Sequence, residues 1–330
     1  MRRALTWFLR GGGALLAAFA CVLAALLSAQ SLREADPQPP PAAERRLATR
    51  EGVIAYEAFG PAQGRPVLIV GGTASWSEFW RPVAEGLAAE GYRAIALDLP
   101  PFGHSDFASD GDYSRKRQAD RLAAFVEALD LRKPILLGHS YGGSPALELA
   151  LSRPGLLGAL VLVDPGLGLP PPGEAQAPDS PLLGAALATP GIARAFVALS
   201  FTNPFAMRGL LAGSFQKKEA ATPAIAELLR APQARPGAAA ALAAWLPALL
   251  LPDHSGASAD LAALARLDAP AVVIWGEDDP LTPMAQARQL KALLPPSAKF
   301  LVIAGVGHFP QVEDFAGFMA ALLRGLRGLD

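Results

Sequence analysis

The sequence predicts an α/β architecture: a mainly parallel sheet with helices on both faces and a helical insertion between two of its strands. Short apolar runs recur at residues 53–59, 67–70, 93–97, 135–137, 160–163, 271–275 and 300–303. Longer amphipathic stretches such as 77–89, 115–129 and 285–294 separate most of them, the pattern of buried strands joined by crossover helices. The alternation stops between Gly166 and Ser258 and then resumes, which marks the insertion.

At the start of the chain, Met1-Arg2-Arg3 and Arg10 precede an uncharged stretch, residues 11–30, rich in Ala, Leu, Phe and Val. That is about the 20 residues a helix needs to cross a hydrocarbon core. Segment 1–31 therefore reads as a membrane anchor or signal segment, its basic flank cytoplasmic and the remaining chain exported to the periplasmic or extracellular side. The apolar core exceeds the roughly 7 to 15 residues of a signal peptide, which favours an uncleaved anchor; Ala29-Gln30-Ser31 leaves cleavage and secretion as the alternative. Residues 32–50 mix charge with Pro37-Gln38-Pro39-Pro40-Pro41 and are expected to form an extended stalk. The core is expected over 51–165 and 259–330, with the insertion over 166–258.

The apolar run 134–137 ends in Gly138-His139-Ser140-Tyr141-Gly142 and is followed by the Ala/Leu-rich stretch 145–151. A strand that turns abruptly into a helix strains the serine at the bend and admits only small residues two positions either side. Gly138 and Gly142 meet that demand. The strain lifts the Ser140 hydroxyl above the sheet edge and aims the Tyr141 N–H at whatever the hydroxyl attacks.

A lone serine is a poor nucleophile, so this turn calls for a histidine to take its proton and a carboxylate to orient that histidine. The chain has 4 histidines. His139 lies inside the turn and is expected to point away from the reacting atom. His104 falls in an early loop and His254 in a polar break. His308 follows the strand-like residues 300–304, on a loop at a strand's C-terminal end, where open parallel sheets assemble their sites. For the acid, the run 271–275 empties into Gly276-Glu277-Asp278-Asp279-Pro280-Leu281-Thr282-Pro283. Asp164, at the end of 160–163, is a rival.

The insertion opens on Gly168-Leu169-Pro170-Pro171-Pro172-Gly173, which continues neither helix nor strand. Helices are expected at 182–188, 192–199, 224–230 and 238–251, with Pro247 a kink. Phe196, Phe201, Phe205, Phe215 and Trp245 suit a roof over an apolar pocket.

Taken together, these motifs resemble the α/β-hydrolase fold family from about Gly52 to the C-terminus. Gly276, Asp279 and Pro283 match its G-x-x-D-x-x-x-P strand-loop pattern, which implies that Asp279 is the acid of a Ser140, Asp279, His308 triad in the family's chain order. Residues 67–73 are similar to the strand and turn that supply a second oxyanion donor. The resemblance thus pairs the Thr73 and Tyr141 amides, although Gly71 stands where the family often has histidine. Asp98 to Asp106 resembles a D-x-P-G-x-G-x-S segment, with Pro101 replacing the usual glycine, and is expected to be structural.

The family implies a helical lid and a serine hydrolase acting on a carboxylic ester, with a small-molecule acyl substrate. Thioesterase, amidase, C–C hydrolase and acyltransferase chemistry would use the same residues. A halide or epoxide hydrolase would present aspartate in place of Ser140. A non-catalytic, membrane-tethered binding protein on this fold would usually lack one triad member.

Composition narrows the remaining classes. The 330 residues suffice for one core and a lid. A net charge of −1 gives no reason to expect nucleic acid, and Arg115-Lys116-Arg117 reads as a solvated helix face. Neither a P-loop nor a dinucleotide fingerprint is present, and one cysteine, Cys21, with scattered histidines gives no metal-ligand spacing. No cofactor is expected; the partners are the substrate and, through segment 1–31, a membrane.

Overall fold

The structure, a computed structural model, describes the backbone of residues 2–170 and 178–329 and the side chains among these from Ala17 onward. The side chains of the expected basic flank, and Pro171-Pro172-Gly173 of the proline-rich loop, lie outside the described residues. The strands are β1 (Arg45–Thr49), β2 (Gly52–Phe59), β3 (Pro66–Val70), β4 (Arg93–Leu97), β5 (Ile135–His139), β6 (Ala159–Val163), β7 (Ala271–Gly276) and β8 (Lys299–Ile303). They form an 8-stranded sheet in the order β1-β2-β4-β3-β5-β6-β7-β8. Pairing is antiparallel between β1 and β2 and between β2 and β4, and parallel from β4 to β8. The sequence thus folds as predicted, into a mainly parallel sheet.

The helices before the insertion are α1 (Arg2–Ala35), α2 (Ser77–Ala89), α3 (Arg115–Ala128) and α4 (Gly143–Ser152). Between β6 and β7 come α5 (Pro181–Leu187), α6 (Pro190–Leu199), α7 (Pro204–Ser214), α8 (Pro223–Arg230), α9 (Ala238–Leu250) and α10 (Leu261–Leu264). After β7 follow α11 (Met284–Leu293), α12 (Pro310–Glu313) and α13 (Phe315–Leu326). Every residue of β5, β6 and β7 is buried. That is why these strands read as unbroken apolar runs rather than alternating ones.

Register fixes where chemistry can gather. β5 lies between β3 and β6, with Gly138 opposite Val70 and His139 opposite Val163. Val163 in turn faces Ile274, and Gly276 faces Ile303. The loops leaving β5, β6, β7 and β8 therefore emerge at one sheet edge, carrying Ser140, Asp164, Asp279 and His308.

Three expectations need correction. Residues 32–50 are not a free stalk: α1 continues to Ala35, and Arg45–Thr49 is edge strand β1. β1 is held partly by Arg46, which donates to the His104 carbonyl (2.9 Å) and pairs with Asp106 (3.1 Å). Secondly, the insertion contains α7, which the sequence pattern does not predict. Asn203 caps it, its Oδ1 accepting from the N–H groups of Phe205 (3.0 Å) and Ala206 (3.4 Å), and Pro204 takes the first turn, where no N–H is missed. Thirdly, residues 312–326, whose apolar pattern reads from sequence as one last helix, are split at Asp314. Its carboxylate accepts from the Gly317 N–H at 2.9 Å and starts a new helix, α13.

By length and composition, Ala17–Ala35 of α1 is apolar enough to cross a membrane, with a mean hydropathy of 1.2. Its last two turns pack on the insertion. Gln30 donates to the Gln233 carbonyl at 2.9 Å, and Glu34 accepts from the Gly237 and Ala239 N–H groups, both at 2.9 Å.

Candidate active site

Ser140 sits at the junction of β5 and α4 with φ +51°, the strained conformation expected at this bend. Both flanking glycines are required by close approach. A Cβ on Gly138 would lie 2.7 Å from the Gly142 carbonyl oxygen, and one on Gly142 would lie 2.5 Å from that of Gly71. The turn opens α4, so the Tyr141 N–H stands at a helix N-terminus, where backbone dipoles favour negative charge. Thr73 lines the same space as Ser140 from the loop after β3. The histidine that the family often places at Gly71 has no room here. A Cβ at Gly71 would collide with the Ser75 hydroxyl, which instead accepts the Trp80 indole N–H at 2.9 Å and fills that place.

The three side chains expected to meet form one hydrogen-bonded chain. The Ser140 hydroxyl donates to His308 Nε2 at 2.7 Å, and His308 Nδ1–H donates to Asp279 Oδ2 at 2.7 Å. Asp279 also accepts from the Thr282 hydroxyl (2.5 Å) and from the backbone N–H groups of Leu281 (2.7 Å) and Thr282 (2.9 Å). Burial alone would raise its pKa; the His308 hydrogen bond and charge, with the Thr282 donors, outweigh burial and leave it lowered. This carboxylate therefore stays ionised.

Asp164 is placed differently. One oxygen accepts the Gly276 N–H at 2.8 Å, and the other is buried without a partner. Burial first, and the neighbouring Asp279 charge second, raise its pKa well above the ordinary aspartate value.

Of the remaining histidines, His254 is exposed and pairs with Asp179 (3.1 Å), and His104 pairs with Glu44 (2.8 Å). Asp98 is structural: its oxygens accept from the backbone N–H groups of Ser77 (2.7 Å) and His104 (2.6 Å). Lys116 and Arg117 pair with Asp120 and Asp110, each at 2.9 Å, on the surface. Arg115 corrects the solvated-face reading, because it turns inward and donates to the Ser258 hydroxyl at 3.1 Å.

The sequence did not reveal the residues that hold His308 in place. His139 donates from Nε2 to the His308 carbonyl at 2.8 Å, and the Ser214 carbonyl at the end of α7 accepts the His308 N–H at 3.0 Å. Glu313 accepts from Gly307 (3.0 Å), Gln216 (2.9 Å) and Lys217 (2.8 Å), tying the histidine loop to the insertion. These contacts span about a hundred residues or more, apart from Glu313 to Gly307, and no local motif announces them.

His139 carries a pH prediction. Burial, and then the charge of His308, lower its pKa from the ordinary 6.5 to about 3. Below pH 6.5 the unfolded chain binds a proton that the folded chain refuses, so stability falls as pH drops towards 3, at about 1.4 kcal/mol per pH unit. His139→Asn is expected to remove that slope, measured as unfolding free energy in urea between pH 6.5 and 5. An unchanged slope would exclude a neutral buried imidazole.

Two cavities meet at Ser140. One, of about 820 Å³, is apolar and roofed by the insertion, with Leu199, Phe201, Met207, Leu211, Leu229 and Leu249 in its wall and His308 at its base. The other, of about 280 Å³, carries Arg115, Ser144, Asp253 and Gln286. Trp245 and Phe215 are fully buried and Phe201 nearly so, whereas Phe196 and Phe205 are exposed. Of the five expected roof residues, Phe201 reaches the cavity wall.

A family model described as alpha/beta hydrolase fold matches residues 65–315. Among curated relatives, a 2-hydroxymuconate semialdehyde hydrolase of Pseudomonas sp. (strain CF600) is 29% identical over 262 residues, 77% of this chain and 84% of the relative. An esterase of Mycobacterium tuberculosis is 36% identical over 126 residues, which are 38% of this chain and 40% of that protein. The chain thus spans less than two thirds of some relatives that it matches. A solved structure of a membrane phospholipase A, described as a bacterial virulence factor, superposes with a TM-score of 0.67 at 25% identity, covering 100% of this chain and 99% of that one.

Proposed function

Because the chain belongs to the alpha/beta hydrolase fold family, we propose that it is a serine hydrolase cleaving a carboxylic ester with an apolar acyl group. The observation that carries this reading is the chain Ser140–His308–Asp279 at the base of the 820 Å³ apolar cavity. Ser140 attacks the ester carbonyl as His308 Nε2 takes its proton, and Asp279 holds the imidazole in the required tautomer. The Thr73 and Tyr141 amides receive the oxyanion, each donor being worth about 10²- to 10³-fold in rate. His308 then protonates the departing alcohol, and water activated by the same imidazole releases the acid.

The apolar cavity suits the acyl chain, and the smaller cavity, with Arg115 and Gln286 in its wall, suits a polar alcohol. Each methylene moved from water into the apolar cavity contributes about 0.8 kcal/mol, roughly fourfold in kcat/KM. A series of esters of increasing acyl length is therefore expected to rise two- to fourfold per methylene until the cavity is full. A flat or falling series would remove the apolar-acyl reading. Labelling by a serine-reactive phosphonate should place its mass on the Ser140 peptide; a label elsewhere, or none, would sink the nucleophile.

The semialdehyde hydrolase relative favours one alternative, hydrolytic C–C cleavage of a ketone by the same three residues. Turnover of an activated ketone without turnover of any ester would select it. For α1 we propose an uncleaved anchor with the core exported. Cleavage after Ser31 would remove Gln30 and its bond to Gln233, a contact that a discarded signal would not need. Intact mass of the membrane-extracted protein tests this directly.

A further inference from the structure

On its lid side, α1 is firmly docked. Among the described side chains of α1, residues 17–35, Leu23, Leu26, Arg33 and Glu34 are half-covered, Gln30 is buried and the rest are exposed, and α6 and the 3₁₀ turn Ala231–Ala234 pack against α1. Gln30 is only 4% exposed. Arg33 donates to the Arg230 carbonyl (3.3 Å) and pairs with Glu227 (3.2 Å) at the end of α8. Glu34 accepts the first free N–H groups of α9, where a carboxylate both satisfies orphan donors and complements the helix dipole. One short stretch of the apolar helix thus grips the α8–α9 corner of the roof over the cavity.

The uncovered side of the neighbouring roof helices is apolar. Leu182 on α5, Ile192 and Phe196 on α6, and Phe205 and Leu210 on α7 are exposed, Phe205 to 87%. Leu210 also lines the apolar cavity. Residues 181–214 contain no Asp or Glu; their charges are Arg194 and Arg208, both exposed. Apolar side chains with interspersed cations and no acids fit the acyl and anionic headgroup boundary of a bilayer. α6 packs directly on the helix proposed to enter that bilayer, and about 10 Å of helix separates Gln30 from Leu23.

We infer that the α5–α7 face rests on the lipid bilayer that holds α1, and that the acyl chain of a membrane lipid ester enters the cavity from that bilayer past Leu210. The inference rests on the anchor and ester-hydrolase readings and adds the source of the substrate. It also accounts for the grip of Gln30, Arg33 and Glu34: a roof fixed to the anchor is held at constant depth.

The test uses the full chain in vesicles of equimolar phosphatidylcholine and phosphatidylglycerol. In a Cys21→Ser background, a fluorophore is attached through Phe19→Cys or Phe205→Cys and brominated lipid is introduced as quencher. Quenching of both labels is expected. Quenching at position 19 without quenching at 205 puts the roof clear of the bilayer and overturns the inference; quenching at neither removes the anchor, and the inference with it. A second variant, Ile192→Glu with Phe205→Glu, alters no cavity residue. Hydrolysis of a soluble short-chain ester should stay within twofold of the parent, while hydrolysis of vesicle phospholipid falls at least tenfold. Equal loss on both substrates, or none on the vesicle lipid, rejects entry from the bilayer. A parent that cleaves no ester at all fails the hydrolase reading, whereas the quenching result still reports where the face lies.

Discussion

Replacing Ser140 with alanine is expected to lower kcat for ester hydrolysis by about 10⁶-fold, and His308→Ala by a similar factor, with the double variant no worse than either. Non-additivity follows from the geometry. The hydroxyl and Nε2 share one hydrogen bond of 2.7 Å, and neither the proton transfer nor the attack proceeds without both partners. What is expected to survive is binding in the cavity and the proposed oxyanion donors, the amides of Thr73 and Tyr141. Steady-state kinetics with a chromogenic ester, alongside circular dichroism to establish folding, measure this. A folded Ser140→Ala protein within tenfold of the parent would mean that another group attacks. Losses that add in the double variant would mean that His308 serves a different step.

The two ends of the proposed triad were legible because each sits in a local pattern. The turn around Ser140 needs small residues at 138 and 142 for reasons of van der Waals contact alone, and the contacts facing Gly138 and Gly142 are those the pattern requires. The central strands were legible for a similar reason, since burial on both faces leaves no polar residue to interrupt them. β1 was not. Its sequence Arg45-Arg46-Leu47-Ala48-Thr49 is an edge strand with an exposed face, and beside a proline run such charge reads as linker. α7 was hidden by the Asn203-Pro204 pair, which looks like a break and is in fact a cap followed by a first turn. The inward turn of Arg115 depends on Ser258, 143 residues away, so the adjacent Lys116 and Arg117 suggested a solvated face for all three. The supports of His308 share that character: His139, Ser214 and Glu313 are brought to it by strand order and by the insertion.

Replacing Asp279 with asparagine is expected to cost about 10⁴-fold in kcat, and Asp164→Asn less than tenfold. From sequence Asp164 is a rival because each acid follows a buried strand, and only the resemblance to the G-x-x-D-x-x-x-P pattern favours Asp279. Partners separate them. Asp279 Oδ2 takes the His308 Nδ1–H at 2.7 Å and Oδ1 takes two backbone amides, so the carboxylate is ionised and fixed in orientation. An asparagine held by those same amides would turn its NH₂ towards Nδ1. The imidazole would then carry its proton on Nε2, where it cannot accept one from Ser140. Asp164 braces no imidazole. One of its oxygens secures the Gly276 N–H and the other is buried without a hydrogen-bond partner, so an amide of the same shape keeps the bond that matters. The pair of variants therefore works as a mutual control. A loss of about 10⁴-fold in Asp164→Asn, with Asp279→Asn nearly intact, would transfer the bracing role to β6 and leave the nucleophile and base untouched. Equal large losses would mean that the two acids act as a single proton-sharing unit.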